Sequence, residues 1–351
     1  MTQPRNFDYF EERDLINREQ LDALLYMLPE YCSEYILSLE SRGLATSTRL
    51  GYIKDLTVFF EYLAGSCNEM KKISLKDLEG LKKIDFQEFL SKQASGRVSY
   101  SNGKKIISKS GIKAQARKLS AVKSLYKFLF DNDMIAVNNS TKVESPKISS
   151  IDSSIKRLDT DEKNEFLDAP DRGVSNQHHD QYLKNTLERD RAIISMFLAT
   201  GIRVSELVGL DLEDVNLNKL CFDVQRKGGK KERLYMGQDL ADILYAWLFK
   251  REAMGLPKSQ QAFFISLQRN RMGVSAVEKM ISKYAQAVFG KKLSPHRLRA
   301  TYGTELYKIT KDIYKVATAL GHSSVETTRK HYADFDENQK KEIAGQVRVG
   351  H

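Results

Sequence analysis

The sequence has few cysteines and no long apolar run, and both absences narrow the class of protein. Its three cysteines form no CxxC pair and have no metal-like spacing to a histidine. This pattern favours the reduced cytoplasm and predicts no metal site. No uninterrupted apolar run approaches the roughly 20 residues that cross a bilayer, so we expect no membrane association. Residues 7–14 are acidic and polar, unlike a signal peptide.

Composition and charge are those of a soluble globular protein that has an anionic partner. A length of 351 residues suggests two domains, and either half is long enough to bury its own core. Hydrophobic residues make up 41% of the chain and charged residues 29%, which is unlike a disordered protein. The net charge of +10 favours a polyanion, although a merely basic soluble protein is the alternative.

Acidic residues are also missing from one long stretch, between Glu88 and Asp131. Basic residues are frequent there, and residues 96–103 are rich in Ser and Gly, which predicts a flexible loop. A run of one charge sign can neutralise several phosphates, so DNA contact is favoured over a solvated basic face. The predicted DNA-binding residues are Lys104, Lys105, Lys109, Lys113, Arg117 and Lys118.

The first 140 residues show the apolar periodicity of helices, and no convincing strand pattern interrupts it. Pro29 breaks or kinks the first helical segment. Ser47 or Thr48 caps the second, and Gly65 lies just past its end, where a left-handed cap carries little strain. The predicted helical segments are residues 14–39, a segment that contains residues 52–63, residues 86–90 and residues 112–130.

A change of composition separates the two halves of the chain. Residues 138–154 are rich in Ser, Asn and Lys, contain Pro146 and have no periodicity, so we predict a linker there. Beyond it, the acids that follow Leu158 indicate a helix start. Residues 172–185 are predicted to form another polar loop.

In the second half, a helix start beside a glycine carries an arginine. An apolar helix is predicted to end near Gly201, and Arg203 then opens a new helix with Glu206 one turn later. Such an arginine can direct its planar guanidinium to a phosphate, and Glu206 can orient it. Taken alone, an ordinary surface ion pair explains these two residues better.

Two alternating segments, residues 220–225 and 232–236, predict a β-hairpin with a turn of lysines and glycines. A lysine at such a tip can enter a DNA groove and donate a proton to a leaving oxygen. For any single lysine in this turn, a nonspecific phosphate contact is the simpler explanation.

A second helix start carries a histidine and another arginine. Ser294 is a predicted N-cap and Pro295 a first helical residue, which together are a strong helix start. His296 and Arg299 are then one turn apart on a common face. Lone histidines are usually structural, but the whole chain contains only six.

The last motifs are a glycine–histidine turn and a tyrosine. His322 lies in the string Leu-Gly-His-Ser-Ser, where the backbone amides that lead into a helix suit an anion. Tyr332 follows ten positions later, in the string Arg-Lys-His-Tyr-Ala. A single tyrosine usually serves packing, so its importance depends on the company of the other motifs.

In order and spacing, these motifs closely resemble the catalytic half of the tyrosine recombinases, the Xer and phage integrase family. Within it, the chain looks most like the single-recombinase Xer proteins of the XerS type. Lys227 matches the family's hairpin lysine, but Lys230 stays open because this turn is one residue longer than the commonest form. The residues at the family's catalytic positions are Arg203, Lys227, His296, Arg299, His322 and Tyr332.

The resemblance implies a mainly α fold with a small antiparallel β-sheet in the catalytic domain. It also implies two domains that form a C-shaped clamp on DNA. Arg297 and Ala300 depart from the residues common in relatives, although neither is a core catalytic position. The expected parts are an N-terminal helical extension (1–37), a helical core-binding domain (38–140), a linker (141–157) and the catalytic domain with a C-terminal exchange segment (158–351).

The mechanism that the resemblance implies is metal-independent and needs no cofactor. Tyr332 attacks the scissile phosphorus and forms a 3′-phosphotyrosine, while Arg203 and Arg299 hold the nonbridging oxygens. The implied general acid is Lys227, and His296 assists proton transfer at the tyrosine. The implied partner is double-stranded DNA with inverted-repeat arms, bound by a dimer at each site and a homotetramer across two sites.

Two other functions stay open from the sequence alone: a type IB topoisomerase, and a DNA-binding regulator without catalytic activity. The target DNA sequence, any accessory protein, and the choice between chromosome-dimer resolution and mobile-element movement are not encoded in these motifs.

Overall fold

The computed structural model describes residues 8–65, 67–101, 104–146, 157–172, 179–226, 229–322 and 324–326. The chain divides into two compact units between Ser153 and Ser154, inside the predicted linker. The described residues are mainly helical, and a small antiparallel sheet lies in the second unit, so the predicted fold class is confirmed. None of the helices in the described ranges is long and apolar enough to cross a membrane.

The first unit is a helical bundle with a β-hairpin between its last two long helices. Two 3-10 turns, Cys67–Lys72 and Asn139–Lys142, complete it. Its elements in chain order are α1 (Tyr9–Tyr26), α2 (Glu30–Ser41), α3 (Thr46–Ala64), α4 (Leu75–Gly80), α5 (Lys83–Ser95), β1 (Arg97–Ser101), β2 (Lys104–Ser108) and α6 (Ile112–Asp131).

The ends of these helices test the sequence-based boundaries. Pro29 is the N-cap of α2, so the predicted break before it is confirmed. Gly65 caps α3 with a φ of 70°, as the left-handed cap requires. The predicted N-cap of α3 is wrong, because the helix begins at Thr46 after Ala45. Ser47 and Thr48 therefore lie in its first turn.

The leading helices share one core with the rest of the first unit. The predicted boundary between residues 37 and 38 falls inside α2. Tyr35 of α2 is buried, and its hydroxyl donates to Ser124 Oγ of α6 at 2.8 Å. Leu21 of α1 is buried in the same apolar cluster as Phe59 and Val122. The segment predicted as an N-terminal extension is thus part of the bundle over its described residues.

The hairpin of β1 and β2 was not predicted. The two strands pair antiparallel, with Val98 opposite Ile107 and Ser101 opposite Lys104. The expectation of a flexible loop at residues 96–103 is therefore wrong for residues 97–101. Each strand is only five residues long and has two apolar residues among polar and basic ones, and in β2 these two are adjacent, so the sequence shows no clear alternation.

The second unit surrounds one buried helix, α9. Its elements are α7 (Thr160–Leu167), α8 (Ala169–Arg172), α9 (His179–Thr200), α10 (Val204–Gly209), β3 (Val215–Asn216), β4 (Cys221–Gln225), β5 (Lys231–Tyr235), α11 (Gln238–Glu252), α12 (Val274–Phe289), α13 (Pro295–Thr310) and α14 (Ile313–Ala319). The predicted polar loop at residues 172–185 is wrong from His179 onward, because α9 begins there. The predicted helix start after Leu158 is confirmed by the cap of Asp159 on α7.

Polar groups at the centre of the second unit hold α9 in place. Asp190 is fully buried and accepts hydrogen bonds from Arg189 Nε at 2.9 Å and from Tyr284 Oη of α12 at 2.9 Å. Arg189 also donates to the carbonyl oxygen of Ile265 at 3.1 Å. A buried carboxylate with several partners fixes the helix that contributes it. The end of α9, and hence Gly201, is placed by this packing.

A three-stranded sheet lies beside α10, in the order β3-β4-β5, with antiparallel neighbours. Cys221 pairs with Tyr235 and Gln225 with Lys231, so the predicted hairpin of β4 and β5 is confirmed. Beyond the last strand pair, Arg226 N–H donates to the carbonyl oxygen of Lys230 at 2.8 Å. The turn that contains the two candidate lysines is therefore closed by Arg226.

Candidate active site

The corner between α9 and α10 presents Arg203. Gly201 has a φ of 63°, which turns the chain after the end of α9. Arg203 is the N-cap of α10, and its backbone N–H donates to Glu206 Oε2 at 2.9 Å. Its guanidinium donates to Glu206 Oε1 at 2.7 Å. The predicted helix start and the predicted pair are confirmed, and the side chain stays 35% exposed, open to a ligand.

Glu206 is a buried anion shared by two arginines. Besides Arg203, its carboxylate accepts from Arg226 NH1, at 3.0 Å to Oε1 and 3.1 Å to Oε2. Burial acts to raise the pKa of Glu206, but the hydrogen bonds from Arg203 and the charges of both arginines outweigh it. The pKa is lowered, so the carboxylate remains ionised and holds both guanidinium groups.

Arg299 reaches the same place from α13. It is buried, and its guanidinium donates to the carbonyl oxygens of Gly201 and Leu320. Arg203 NH2 donates to the same Leu320 oxygen at 3.3 Å and to the Gly321 oxygen at 2.9 Å. The two predicted phosphate-binding arginines, nearly 100 residues apart in sequence, therefore converge on one turn.

Each of the two histidines is close in the chain to a residue of this convergence. Pro295 is the first residue of α13 and Ser294 its N-cap, as predicted, so His296 is in the first turn and is exposed. Arg299 is one helical turn further along the same face. His322 directly follows the turn that accepts both arginines, and its backbone N–H donates to the Ala317 oxygen at 3.0 Å.

Two predicted catalytic residues, Lys227 and Tyr332, lie outside the described residues. Lys230, the alternative acid, is described and exposed at the turn between β4 and β5. The structure thus brings together Arg203, Glu206, Arg299 and His322.

Arg226 is a buried residue of this site to which the sequence analysis gave no role. It is 8% exposed, and its Nε and NH2 donate to Glu232 at 3.1 and 3.2 Å while NH1 binds Glu206. The site thus contains three guanidinium groups and only two carboxylates, those of Glu206 and Glu232. The guanidinium groups belong to Arg203, Arg226 and Arg299. The described cluster carries a net positive charge before either histidine is counted, which suits a phosphodiester.

Most of the residues predicted to bind DNA in the acid-free stretch between Glu88 and Asp131 lie on or just before α6. Lys109, Lys113 and Arg117 are exposed, and Arg117 NH1 is 2.6 Å from the buried Asp55 Oδ2. Burial raises the pKa of Asp55, and the charge of Arg117 acts against that rise. Lys118 is buried, with its ammonium 3.0 Å from Ser110 Oγ. The side chains of the predicted DNA-binding residues Lys104 and Lys105 lie outside the part of the chain that the structure describes.

We expect Gly201→Ala to destabilise the second unit beyond the cost of its backbone conformation. A Cβ at this position would lie 2.4 Å from Tyr302 Cδ1. Gly290 has the same φ of 63° but no atom within 4 Å of such a Cβ, so Gly290→Ala measures the backbone cost alone. Urea unfolding followed by the fluorescence of the single, buried Trp247 reports on this unit in the full chain.

The expected difference between the two variants is about 1–3 kcal/mol of unfolding free energy, the usual cost of overpacking. Equal losses of unfolding free energy in the two variants would show that the Tyr302 side chain moves aside. Gly201 would then be needed only for its positive φ. Because Gly201 supplies a carbonyl to Arg299, the same variant should also displace that arginine.

The chain is similar to several known proteins. A family model described as the phage integrase family matches residues 156–339, which is 184 of the 351 residues. Tyrosine recombinase XerS of Streptococcus mutans serotype c is 33% identical, over 93% of this chain and 97% of that protein.

Among solved structures, XerH site-specific recombinase bound to palindromic difH substrate superposes with a TM-score of 0.63, at 21% identity, covering 86% of this chain and 80% of that one. A lambda integrase tetramer bound to a Holliday junction superposes with a TM-score of 0.58, at 15% identity, covering 84% and 76%. These two likenesses concern the fold.

Proposed function

The chain belongs to the phage integrase family of tyrosine recombinases, and we propose that it recombines DNA site-specifically through a 3′-phosphotyrosyl intermediate and a Holliday junction. The observation that carries the proposal is the convergence of Arg203 and Arg299 on the turn at residues 320–321, which His322 directly follows. A positive, hydrogen-bond-donating cluster of this kind suits the charge that develops on a phosphate during displacement.

The proposed reaction is an in-line displacement at the scissile phosphorus. The Tyr332 oxygen forms a bond to phosphorus and gives up its proton with help from His296. The bond from phosphorus to the 5′ oxygen breaks, and that oxygen leaves as a hydroxyl with a proton from Lys227. Rejoining reverses these steps, with the 5′-hydroxyl of another strand as the nucleophile.

The arginines act on the oxygens that do not leave. Arg203 and Arg299 donate to the nonbridging oxygens, and His322 adds a further donor, so the charge of the transition state meets fixed donors. Both guanidinium groups also donate to backbone carbonyls of residues 201, 320 and 321. These hydrogen bonds fix the two side chains, which reduces the ordering that DNA binding requires.

The proposed partner is double-stranded DNA with inverted-repeat arms. The proposed assembly is a dimer at each site and a homotetramer across two sites. A comparable fold occurs in a lambda integrase tetramer on a Holliday junction, which supports the assembly. Residues 334–351 would supply the segment that is exchanged between subunits.

We expect a combined neutralisation of Lys109, Lys113 and Arg117 to glutamine to weaken DNA binding and flatten its salt dependence. These exposed residues come from the stretch that lacks acids. Each lost phosphate contact should reduce the slope of log K against log salt by about 0.9. Titrations of a fluorescent duplex at several salt concentrations give the slope. Gln substitutions at the exposed Lys279, Lys308 and Lys311 provide the matched control.

An unchanged slope in the combined variant of Lys109, Lys113 and Arg117 would show that these side chains face solvent and do not contact DNA. Because Lys118 is buried on Ser110, its substitution tests folding as well as binding and is best made separately.

Covalent capture tests the proposed reaction and finds the target site together. The protein is incubated with nicked duplexes whose central segment is randomised, so that a cleaved strand is lost at the nick and rejoining is prevented. DNA that stays attached to the protein in detergent is then sequenced. A recurrent inverted-repeat site attached through its 3′ phosphate is the expected result. No attached DNA would leave a non-catalytic DNA-binding regulator as the function.

Strand exchange separates recombination from a type IB topoisomerase. Two duplexes that carry the selected site, one of them labelled, are mixed with the protein. A recombinase produces Holliday junctions and recombinant duplexes, whereas relaxation of supercoils without exchange would indicate the topoisomerase. Chromosome-dimer resolution and mobile-element movement are the two candidate roles of such a recombinase. Transfer or excision genes beside the coding sequence would favour a mobile element instead.

A further inference from the structure

We propose that Arg226 is a positioning residue that holds the turn of the β4–β5 hairpin against Glu206 and so aligns the general acid that this turn carries. This inference rests on the proposed function, because it concerns the step in which the leaving 5′ oxygen is protonated. It gives a role to a residue that does not itself reach the DNA.

Arg226 joins the hairpin to the arginine corner. Its NH1 binds both oxygens of Glu206 on α10, at 3.0 and 3.1 Å, while its Nε and NH2 bind Glu232 on β5. Glu206 is the carboxylate that also holds Arg203, at 2.7 Å. A shift of Arg226 would therefore change both the hairpin and the support of a phosphate-binding arginine.

The backbone of Arg226 defines the turn that carries the candidate acids. Its N–H donates to the Lys230 oxygen at 2.8 Å, and its carbonyl accepts from Gly229 N–H at 3.1 Å. Lys227 follows Arg226 directly in the chain, and Lys230 is hydrogen-bonded to it. The inference therefore holds for either candidate acid.

The guanidinium of Arg226 also touches the other half of the site. A Cβ on Gly321 would lie 2.9 Å from Arg226 Cζ, so the guanidinium lies against the glycine at a distance that no other residue would permit. The carbonyl of Gly321 accepts from Arg203, and His322 follows it. Arg226 therefore contacts the turn on which the phosphate-binding groups converge.

Arg226 is not itself a phosphate ligand. It is 8% exposed, and all three of its nitrogens donate to carboxylates. Burial acts to lower its pKa, but the hydrogen bonds that it donates to Glu232 and Glu206, and the charges of these carboxylates, raise the pKa overall. A guanidinium held in this way acts through the groups that it orients.

The test compares cleavage of ordinary DNA with cleavage of DNA that has sulfur at the 5′-bridging position. A thiolate leaves without protonation, so a misplaced acid matters less for the sulfur substrate. We expect Arg226→Met to lower the rate on ordinary DNA by about 100-fold, a size known for misplaced catalytic groups. The rate on the sulfur substrate should fall by about 10-fold, from the weakened support of Arg203. The ratio of the rate on the sulfur substrate to the rate on ordinary DNA is then about tenfold higher in the variant than in wild type.

The ratio is measured within one sample, so it does not depend on how much of a variant folds. Arg226→Lys keeps the charge but loses the planar contact, and we expect a ratio between those of wild type and Arg226→Met. Arg233→Met is the control, because Arg233 makes a bidentate pair with Asp223 on the same hairpin but binds no residue of the corner. Its ratio should equal that of wild type.

A wild-type ratio for Arg226→Met would overturn the inference and leave Arg226 a purely structural residue. A raised ratio for Arg233→Met would also overturn it, because any loosening of the hairpin would then suffice. Failure of the proposed function looks different, since the wild-type protein would then form no covalent product with either substrate.

Discussion

In the Tyr332→Phe variant, covalent attachment to DNA is expected to fall by at least about 10⁴-fold, below detection in gels. Only the attacking oxygen is lost, and without it the chain has no route to the phosphotyrosine. Binding to the selected duplex should stay within about twofold of wild type, since contacts to other phosphates carry the affinity. Adduct formation in detergent gels and binding by fluorescence anisotropy give the two readings.

Tyr314→Phe is the matched control for this experiment. Tyr314 is an exposed tyrosine of α14, in the same part of the chain, and its substitution removes one hydroxyl in the same way. Its adduct yield should equal that of wild type. An adduct formed by Tyr332→Phe at the wild-type rate would assign the nucleophile to another residue.

Lys227→Ala is expected to lower cleavage of ordinary DNA by about 10²–10⁴-fold, the usual contribution of a general acid. A sulfur atom at the 5′-bridging position should restore the rate to within about 10-fold of wild type, because the thiolate leaves without a proton. Arg203→Ala should stay slow on both substrates, since its charge acts on the nonbridging oxygens.

The same pair of substrates decides between the two lysines of the turn. Lys230→Ala should cleave ordinary DNA at nearly the wild-type rate if Lys227 is the acid. Selective rescue of Lys230→Ala by sulfur, with none for Lys227→Ala, would move the acid to Lys230. The extra residue in this turn would then have shifted the acid along the chain.

Much of the site could be predicted because its residues lie beside local signals. Arg203 follows a glycine and starts a helix, and His296 follows a serine cap and a proline, so neighbouring residues alone place them. Arg226 had no such signal. Its burial depends on Glu206, twenty positions earlier, and on a glycine at position 321, and neither contact can be read from the hairpin itself.

The errors in the fold have the same origin. The start of α3 at Thr46 follows an alanine that contributes no capping side chain, so the nearest serine and threonine misled the prediction. The resemblance implied a separate N-terminal extension, but burial of Leu21 and Tyr35 joins the leading helices to the bundle. Tertiary packing decides such boundaries, and composition alone does not reveal it.

The depressed pKa of Glu206 also determines how the site responds to acid. A carboxylate whose pKa is lower in the folded state than in the unfolded chain adds stability above the unfolded value, here 4.5, and loses it as the pH falls through the folded value. Between neutrality and mild acidity Glu206 therefore keeps its negative charge, and Arg203 and Arg226 both stay bound to it. If the cleavage rate declines over this pH range, the cause is a group that exchanges protons with the DNA. The ion pairs of Glu206 that align the site would remain intact.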